Sequence, residues 1–226
     1  MTKVPSSSMS GRAMIVVAGG ASSRFGSDKL MEPIAGLPLV AHTVAAVAGM
    51  VEVCVLVCRD DQTDALQVVL PGVTVVRGGP TRTQSELAGL RALPDNVQLI
   101  GIHDGARPLI SPQLIGLLFD TAAETGGAVP VMPPSRLLVR RSDLRPVPHA
   151  AVAQTPQVFR GPELRLAYRA AAASGFEGHD TADVVRAFSD LRIAAVDGEA
   201  VNIKVTYRSD LDTVRAALDP SRTEPR

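Results

Sequence analysis

Short, nearly continuous apolar runs alternate along this chain with longer stretches of helical period, and that alternation restricts the fold more than any other feature. Residues 13–18, 53–58, 73–77, 99–103 and 128–132 are rich in Val, Ile, Leu and Met. A run without polar alternation suits a strand buried on both faces of a largely parallel sheet. Helices are predicted between the runs, over 38–49, 63–70, 84–93 and 112–124, and later over 162–174, 181–188 and 209–218, with a further strand at 192–196. The order predicts the α/β class: a Rossmann-like three-layer sandwich around a mostly parallel central sheet. Right-handed crossovers would then gather ligand loops at the carboxyl ends of the strands.

The rhythm breaks at 133–153, where Pro133, Pro134, Pro146 and Pro148 surround a charged stretch. A strand at 136–140, a turn at Ser142–Asp143 and a return through 147–152 predict a projecting β-arm. Such an arm cannot bury itself and needs a partner surface. The chain of 226 residues suits one domain, placed at 13–218, with a disordered Ser-rich tail at 1–12 and a frayed end at 219–226. Lys plus Arg and Asp plus Glu each total 23, so there is no basic footprint of a nucleic-acid binder. Local clusters of arginine point instead to small anionic ligands. No apolar run is long enough to span a bilayer, and the opening residues lack the apolar core of a secretory signal. Cys54 and Cys58 share one face of a strand-like run, too far apart along it for a disulfide. Free buried thiols fit a reducing cytoplasm.

The first strand runs directly into Ala18-Gly19-Gly20-Ala21-Ser22-Ser23-Arg24-Phe25-Gly26-Ser27-Asp28-Lys29. Glycines let backbone amides approach a ligand, and consecutive amides make an anion-binding concavity. Arg24 and Lys29 add fixed positive charge, the combination that holds a triphosphate and stabilises charge on an in-line transition state. The loop is neither a Walker A loop nor a Gly-x-Gly-x-x-Gly dinucleotide fingerprint. The plainer alternative is a polar strand-to-helix turn with solvated charges.

This loop resembles the signature of nucleotidyltransferases that activate sugars, polyols and molybdopterin. Four further blocks narrow the resemblance to the 2-C-methyl-D-erythritol 4-phosphate cytidylyltransferase family. They are Gly78-Gly79-Pro80-Thr81-Arg82-Thr83-Gln84-Ser85, His103-Asp104-Gly105-Ala106-Arg107-Pro108, Gln154-Thr155-Pro156-Gln157-Val158-Phe159 and Asn202-Ile203-Lys204-Val205-Thr206. They stand in the family's order, and the resemblance covers 14–218.

Each block also has a physical reading. Gly78 and Gly79 leave bare backbone for a flat base edge, and Ser85 sits near a helix start where its hydroxyl can read polar base atoms. An ordinary helix-capping turn is the alternative. Asp104 closes a strand at the ligand edge, where a carboxylate can help organise Mg²⁺ or accept a substrate hydroxyl, and Arg107 can grip a phosphate. A structural salt bridge between the two is the bland option, and His103 reads as a packed histidine rather than a base. Lys204 lies in a run of strand character, where an isolated lysine is ordinarily a solvated edge charge.

The resemblance implies transfer of CMP from CTP to 2-C-methyl-D-erythritol 4-phosphate, with release of pyrophosphate. It implies catalytic roles for Arg24, Lys29 and Lys204. Nucleotide contacts would come from Ala18, Gly19, Gly20, Gly79, Ser85 and Asp104. Acceptor contacts would come from Asp104, Gly105, Arg107, Ser135, Thr155 and Lys204. Asp180 falls where the family carries an acidic loop residue. Mg²⁺ is the expected cofactor, held mainly through triphosphate oxygens with Asp104 as the candidate protein ligand. The arm implies a homodimer in which a neighbour contributes to each site. Three features depart from the family. Arg24 and Lys29 stand closer together, Ser135-Arg136-Leu137-Leu138 replaces a lysine-bearing run, and Val147 stands where an arm arginine is usual. These fall on the acceptor side, so a paralogue using ribitol 5-phosphate or a molybdopterin-type acceptor, or a non-catalytic nucleotide-binding module, are the competing expectations.

Overall fold

The computed structural model describes residues 11–20 and 25–219. Arg24, most of the expected N-terminal tail and nearly all of the expected frayed C-terminus lie outside the described residues. The strands are β1 (Arg12–Val17), β2 (Pro33–Ile34), β3 (Leu37–Pro38), β4 (Val53–Cys58), β5 (Thr74–Arg77), β6 (Leu99–Asp104), β7 (Gly126–Met132), β8 (Val152–Ala153), β9 (Gln157–Arg160) and β10 (Arg192–Asp197). The helices are α1 (Leu39–Ala48), α2 (Thr63–Val69), α3 (Arg82–Ala92), α4 (Pro112–Thr125), α5 (Gly161–Ser174), α6 (Thr181–Phe188) and α7 (Arg208–Leu218).

The central sheet runs β10-β7-β9-β6-β1-β4-β5, with β8 pairing to β7. Pairing is parallel from β6 through β1 and β4 to β5, and between β10 and β7. The apolar runs are strands because both faces are covered. Along β1, Ala13 and Ile15 enter the core with α3, α5 and α6, whereas Met14 and Val16 enter the core with α1, α4 and α7. This period-2 division of a continuous apolar run builds the three layers. Local chemistry sets the helix ends. Ser111 caps α4 by accepting from the Leu114 amide at 3.0 Å, Pro112 follows in its first turn, and Gly175 closes α5 in the left-handed region.

Three expectations differ from the structure. Residues 157–160, read as part of a ligand block, form β9, which lies antiparallel between β6 and β7. Its two apolar residues, Val158 and Phe159, are fully buried on opposite faces. Gly127 on β7 makes room for the ring, since a Cβ there would lie 2.6 Å from Phe159 Cδ1. The 202–206 run is not a strand. Its backbone is tied to a neighbouring loop instead, with the Val205 amide donating to the Ala106 carbonyl at 2.9 Å. In the expected arm, 138–147 turns back on itself through a single bridge between Val139 and Pro146, and β8 pairs with β7 rather than with the arm. Leu137 and Leu144 there are exposed. Among the described residues no helix is long and apolar enough to cross a membrane.

Candidate active site

A cleft of about 420 Å³ opens at the carboxyl ends of β1, β5 and β6, where the parallel strands deliver their loops. Gly19, Gly20 and Lys29 line it from the first loop, and Gly79, Thr81, Arg82 and Ser85 from the turn into α3. Asp104 and Gly105 come from the end of β6, and Lys204 and Thr206 from the segment after β10. Thr81 starts α3 by accepting from the Gln84 amide at 3.2 Å, which fixes where Arg82 and Ser85 point. Gly79 is pressed against that first turn, for a Cβ there would meet Gln84 Cβ at 2.5 Å. Gly20 is different: a Cβ there would meet nothing within 4 Å among the described residues. Clearance for a ligand, rather than packing, is the physical use of a glycine at that point.

Among the described residues, three cations, Lys29, Arg82 and Lys204, and one carboxylate, Asp104, line the cleft wall. Such an excess suits a polyphosphate. Arg82 Nη1 lies 2.9 Å from Asp104 Oδ1, and Lys204 Nζ lies 2.9 Å from Oδ2. Arg107 Nε approaches Oδ2 at 3.4 Å from behind and sends Nη1 to the Asn202 carbonyl at 2.7 Å. Burial by itself would raise the Asp104 carboxyl, but Arg82, Lys204 and Arg107 hold it well below the usual carboxylate range. Lys29 Nζ donates to the Val205 carbonyl at 2.8 Å, joining the first loop to the Lys204 segment.

A buried polar knot supports that segment. Gln154 Nε2 donates to the Glu199 carbonyl at 2.8 Å, and its Oε1 accepts from the Glu199 amide at 3.1 Å. Asn202 Nδ2 donates to the Thr155 carbonyl at 2.9 Å. Thr155 also holds the floor. Its hydroxyl oxygen accepts the Asp104 amide at 3.0 Å and lies 3.0 Å from His103 Nδ1. His103 Nε2 lies 3.0 Å from the Arg107 carbonyl, which can only accept, so Nε2 carries the proton and Thr155 donates to Nδ1. Burial pulls the His103 pKa down to about 4. The imidazole is a neutral packing group, as the sequence reading expected.

The structure therefore brings Gly19, Gly20, Lys29, Gly79, Ser85, Asp104, Gly105 and Lys204 to one cleft. Ala18 is buried beside it in the β1 exit, its amide donating to the Val57 carbonyl at 2.7 Å. Arg107 and Thr155 lie behind the wall, engaged as described. Ser135 is exposed and off the cleft. Asp180 caps α6, accepting from the Asp183 amide at 2.8 Å and from Gln157 Nε2 at 2.8 Å. Arg82 and Thr206 were not singled out from sequence. Both stand inside quoted blocks, and the signal for Arg82 was a cation in the first turn of a helix that follows a glycine pair. As for a metal, Asp104 is the one carboxylate on this wall among the described residues and is already shared by three cations, which would repel a dication. No group of three His, Cys, Asp or Glu suited to a metal occurs among the described residues. The described residues do not form a protein-held Mg²⁺ site.

Comparison with known proteins gives a consistent result. The sequence profile of the 2-C-methyl-D-erythritol 4-phosphate cytidylyltransferase family matches residues 12–219. A protein of Cereibacter sphaeroides bearing that name is 37% identical over 214 residues, covering 88% of this chain and 92% of the relative. One from Synechococcus is 34% identical over 230 residues, covering 94% and 99%. Among solved structures, the cytidylyltransferase of Thermus thermophilus superposes with a TM-score of 0.72 at 27% identity, covering 90% of this chain and 96% of that one. A synthase from Anaerococcus prevotii shares the fold, with a TM-score of 0.80 at 24% identity over 92% of this chain and 97% of that one.

Proposed function

The chain belongs to the 2-C-methyl-D-erythritol 4-phosphate cytidylyltransferase family, and from that premise we propose how its cleft performs the family's reaction. The enzyme transfers CMP from CTP to 2-C-methyl-D-erythritol 4-phosphate and releases pyrophosphate, a step of isoprenoid biosynthesis. The observation that carries the residue assignment is the glycine-floored cleft lined by Lys29, Arg82 and Lys204, the last two paired to Asp104.

The acceptor's phosphate oxygen attacks the α-phosphorus of CTP. A new O–P bond forms, the α–β bridging O–P bond breaks, and pyrophosphate leaves with the bonding pair. That phosphate is already ionised near neutral pH, so the step needs no general base. Alignment and charge stabilisation are what the protein supplies. Gly19, Gly20, Gly79 and Ser85 form the nucleotide side, with Gly20 open to the ligand. Lys29 and Lys204 face the developing charge, while Arg24, given a catalytic role by the resemblance, lies outside the described residues. Asp104 and Gly105 stand between the two substrates. Arg107 and Thr155 act on the acceptor through Asp104, because their polar atoms are committed to it and to its neighbours. Mg²⁺ accompanying CTP would offset triphosphate charge, and binding, alignment and charge stabilisation fall to the chain's own groups.

Ser135 and the exposed Leu137, Leu138, Val139 and Leu144 belong to a segment that a second copy of the chain would cover, giving a homodimer working in the cytoplasm. Pyrophosphate release tests the reaction. CTP, ATP, GTP and UTP are each paired with methylerythritol phosphate and with ribitol phosphate. Turnover with CTP and methylerythritol phosphate alone is expected. Turnover with ribitol phosphate in preference would overturn the acceptor assignment.

A further inference from the structure

Behind the cleft wall sits a carboxylate that the reaction as described does not use. Glu86, one turn into α3, is 1% exposed. Its Oε1 lies 2.8 Å from Arg82 Nε, an ion pair without hydrogen-bond alignment. Thr181 Oγ1 of α6 donates to the same oxygen at 3.3 Å, and the Tyr168 hydroxyl of α5 donates to Oε2. Tyr168 is itself fully buried. Placing a carboxylate here carries a desolvation cost that an apolar side chain in the same core would avoid. What it contributes is a second anchor for Arg82, whose Nη1 reaches forward to Asp104. The third nitrogen, Nη2, is buried without a hydrogen-bond partner among the described residues, so these two carboxylates alone fix the guanidinium.

The cations around Asp104 thus differ in how firmly they are held. Arg82 is held from behind by Glu86, and Arg107 by the Asn202 carbonyl. Lys204 is paired to Asp104 Oδ2, and its side chain is 38% exposed to the cleft. We infer that Glu86, braced by Tyr168 and Thr181, is a positioning residue for the transfer reaction: it keeps Arg82 on Asp104, so that Asp104 stays neutralised when Lys204 turns to a substrate phosphate. Arg82 is then a fixed part of the wall, and Lys204 is the cation that moves. This inference rests on the transfer reaction assigned above.

Glu86→Gln, Arg82→Lys and the double variant test it, with kcat, both KM values and the melting temperature measured for each. Glu86→Gln is expected to lower kcat about tenfold while changing KM for CTP much less, and to add almost nothing once Arg82 is Lys, since a coupled pair is non-additive. Tyr168→Phe, which removes only the bracing hydroxyl, is expected to lower kcat about threefold with the same dependence on Arg82. It decides the matter if Glu86→Gln does not fold. A lowered melting temperature with unchanged turnover per folded molecule would overturn the positioning role, as would losses that simply multiply in the double variant. Silence of the wild-type enzyme with CTP and methylerythritol phosphate would instead overturn the reaction assignment.

Discussion

Replacing Lys204 with Met removes a partly exposed cleft cation while keeping most of its stem. Asp104 would lose the contact at 2.9 Å but keep Arg82 at 2.9 Å and Arg107 at 3.4 Å. No buried charge is left unpaired. Because the Lys204 side chain is more than one-third exposed, the stability cost is that of a screened pair, about 0–1 kcal/mol. The catalytic cost is larger. A preorganised group facing developing charge contributes about 2–4 kcal/mol to the transition state, and its loss slows kcat by about 30- to 1,000-fold. The assay is pyrophosphate release at saturating CTP and methylerythritol phosphate, alongside thermal melting. A kcat within about threefold of wild type would refute the assignment of Lys204 to the transition state. So would a collapse in stability that accounts for the whole loss.

Three further outcomes follow from the same geometry. Asp104→Asn leaves Arg82 and Arg107 partly buried without their shared carboxylate, so stability is expected to fall by about 3 kcal/mol, read as a lowered midpoint in urea. Gly20→Val fills open cleft space without a clash among the described residues; KM for CTP is expected to rise at least about tenfold with an unchanged melting temperature. His103 takes up its proton at about 4 in the folded state, against 6.5 when unperturbed. Between those values the unfolded chain binds more protons, so stability falls as pH drops from 6.5 to about 4, by about 3 kcal/mol at most, with no further loss from this group below. Denaturant melts across that range are expected to show a slope that His103→Gln lacks, and equal slopes would sink the assignment. Asp104 adds its own loss only at lower pH, because its folded pKa lies below the usual range.

The strands β1, β4 and β6 were legible because an apolar run with no polar alternation has one stable use, burial on both faces. The starts of α4 and α6 carry local capping signals, Ser111 and Asp180, readable within a few residues. β9 was not legible: four residues with polar ends, following Pro156 and running straight into α5, carry too little pattern. The strand character of 202–206 misled for the opposite reason. Ile203 and Val205 look like a strand, but the Val205 amide is claimed by the Ala106 carbonyl of a neighbouring loop instead of by a strand.

For the site, the sequence by itself determined the chemistry on offer: bare glycines after β1 and β5, cations close behind them, and one carboxylate at the end of β6. Those are local properties of short segments, and they persist in any fold that keeps the segments as strand exits. Only the tertiary structure decided which groups meet. Asp104 joins Arg82 from α3 and Lys204 from a segment after β10. Thr155 and Arg107, equally plausible as ligand contacts by type, were turned inward to hold Asp104 and its neighbours. Glu86 met Tyr168 and Thr181 across the core. Spacing along a chain fixes contacts within a helix or strand, but contacts between layers depend on how whole elements pack, and no local pattern encodes them.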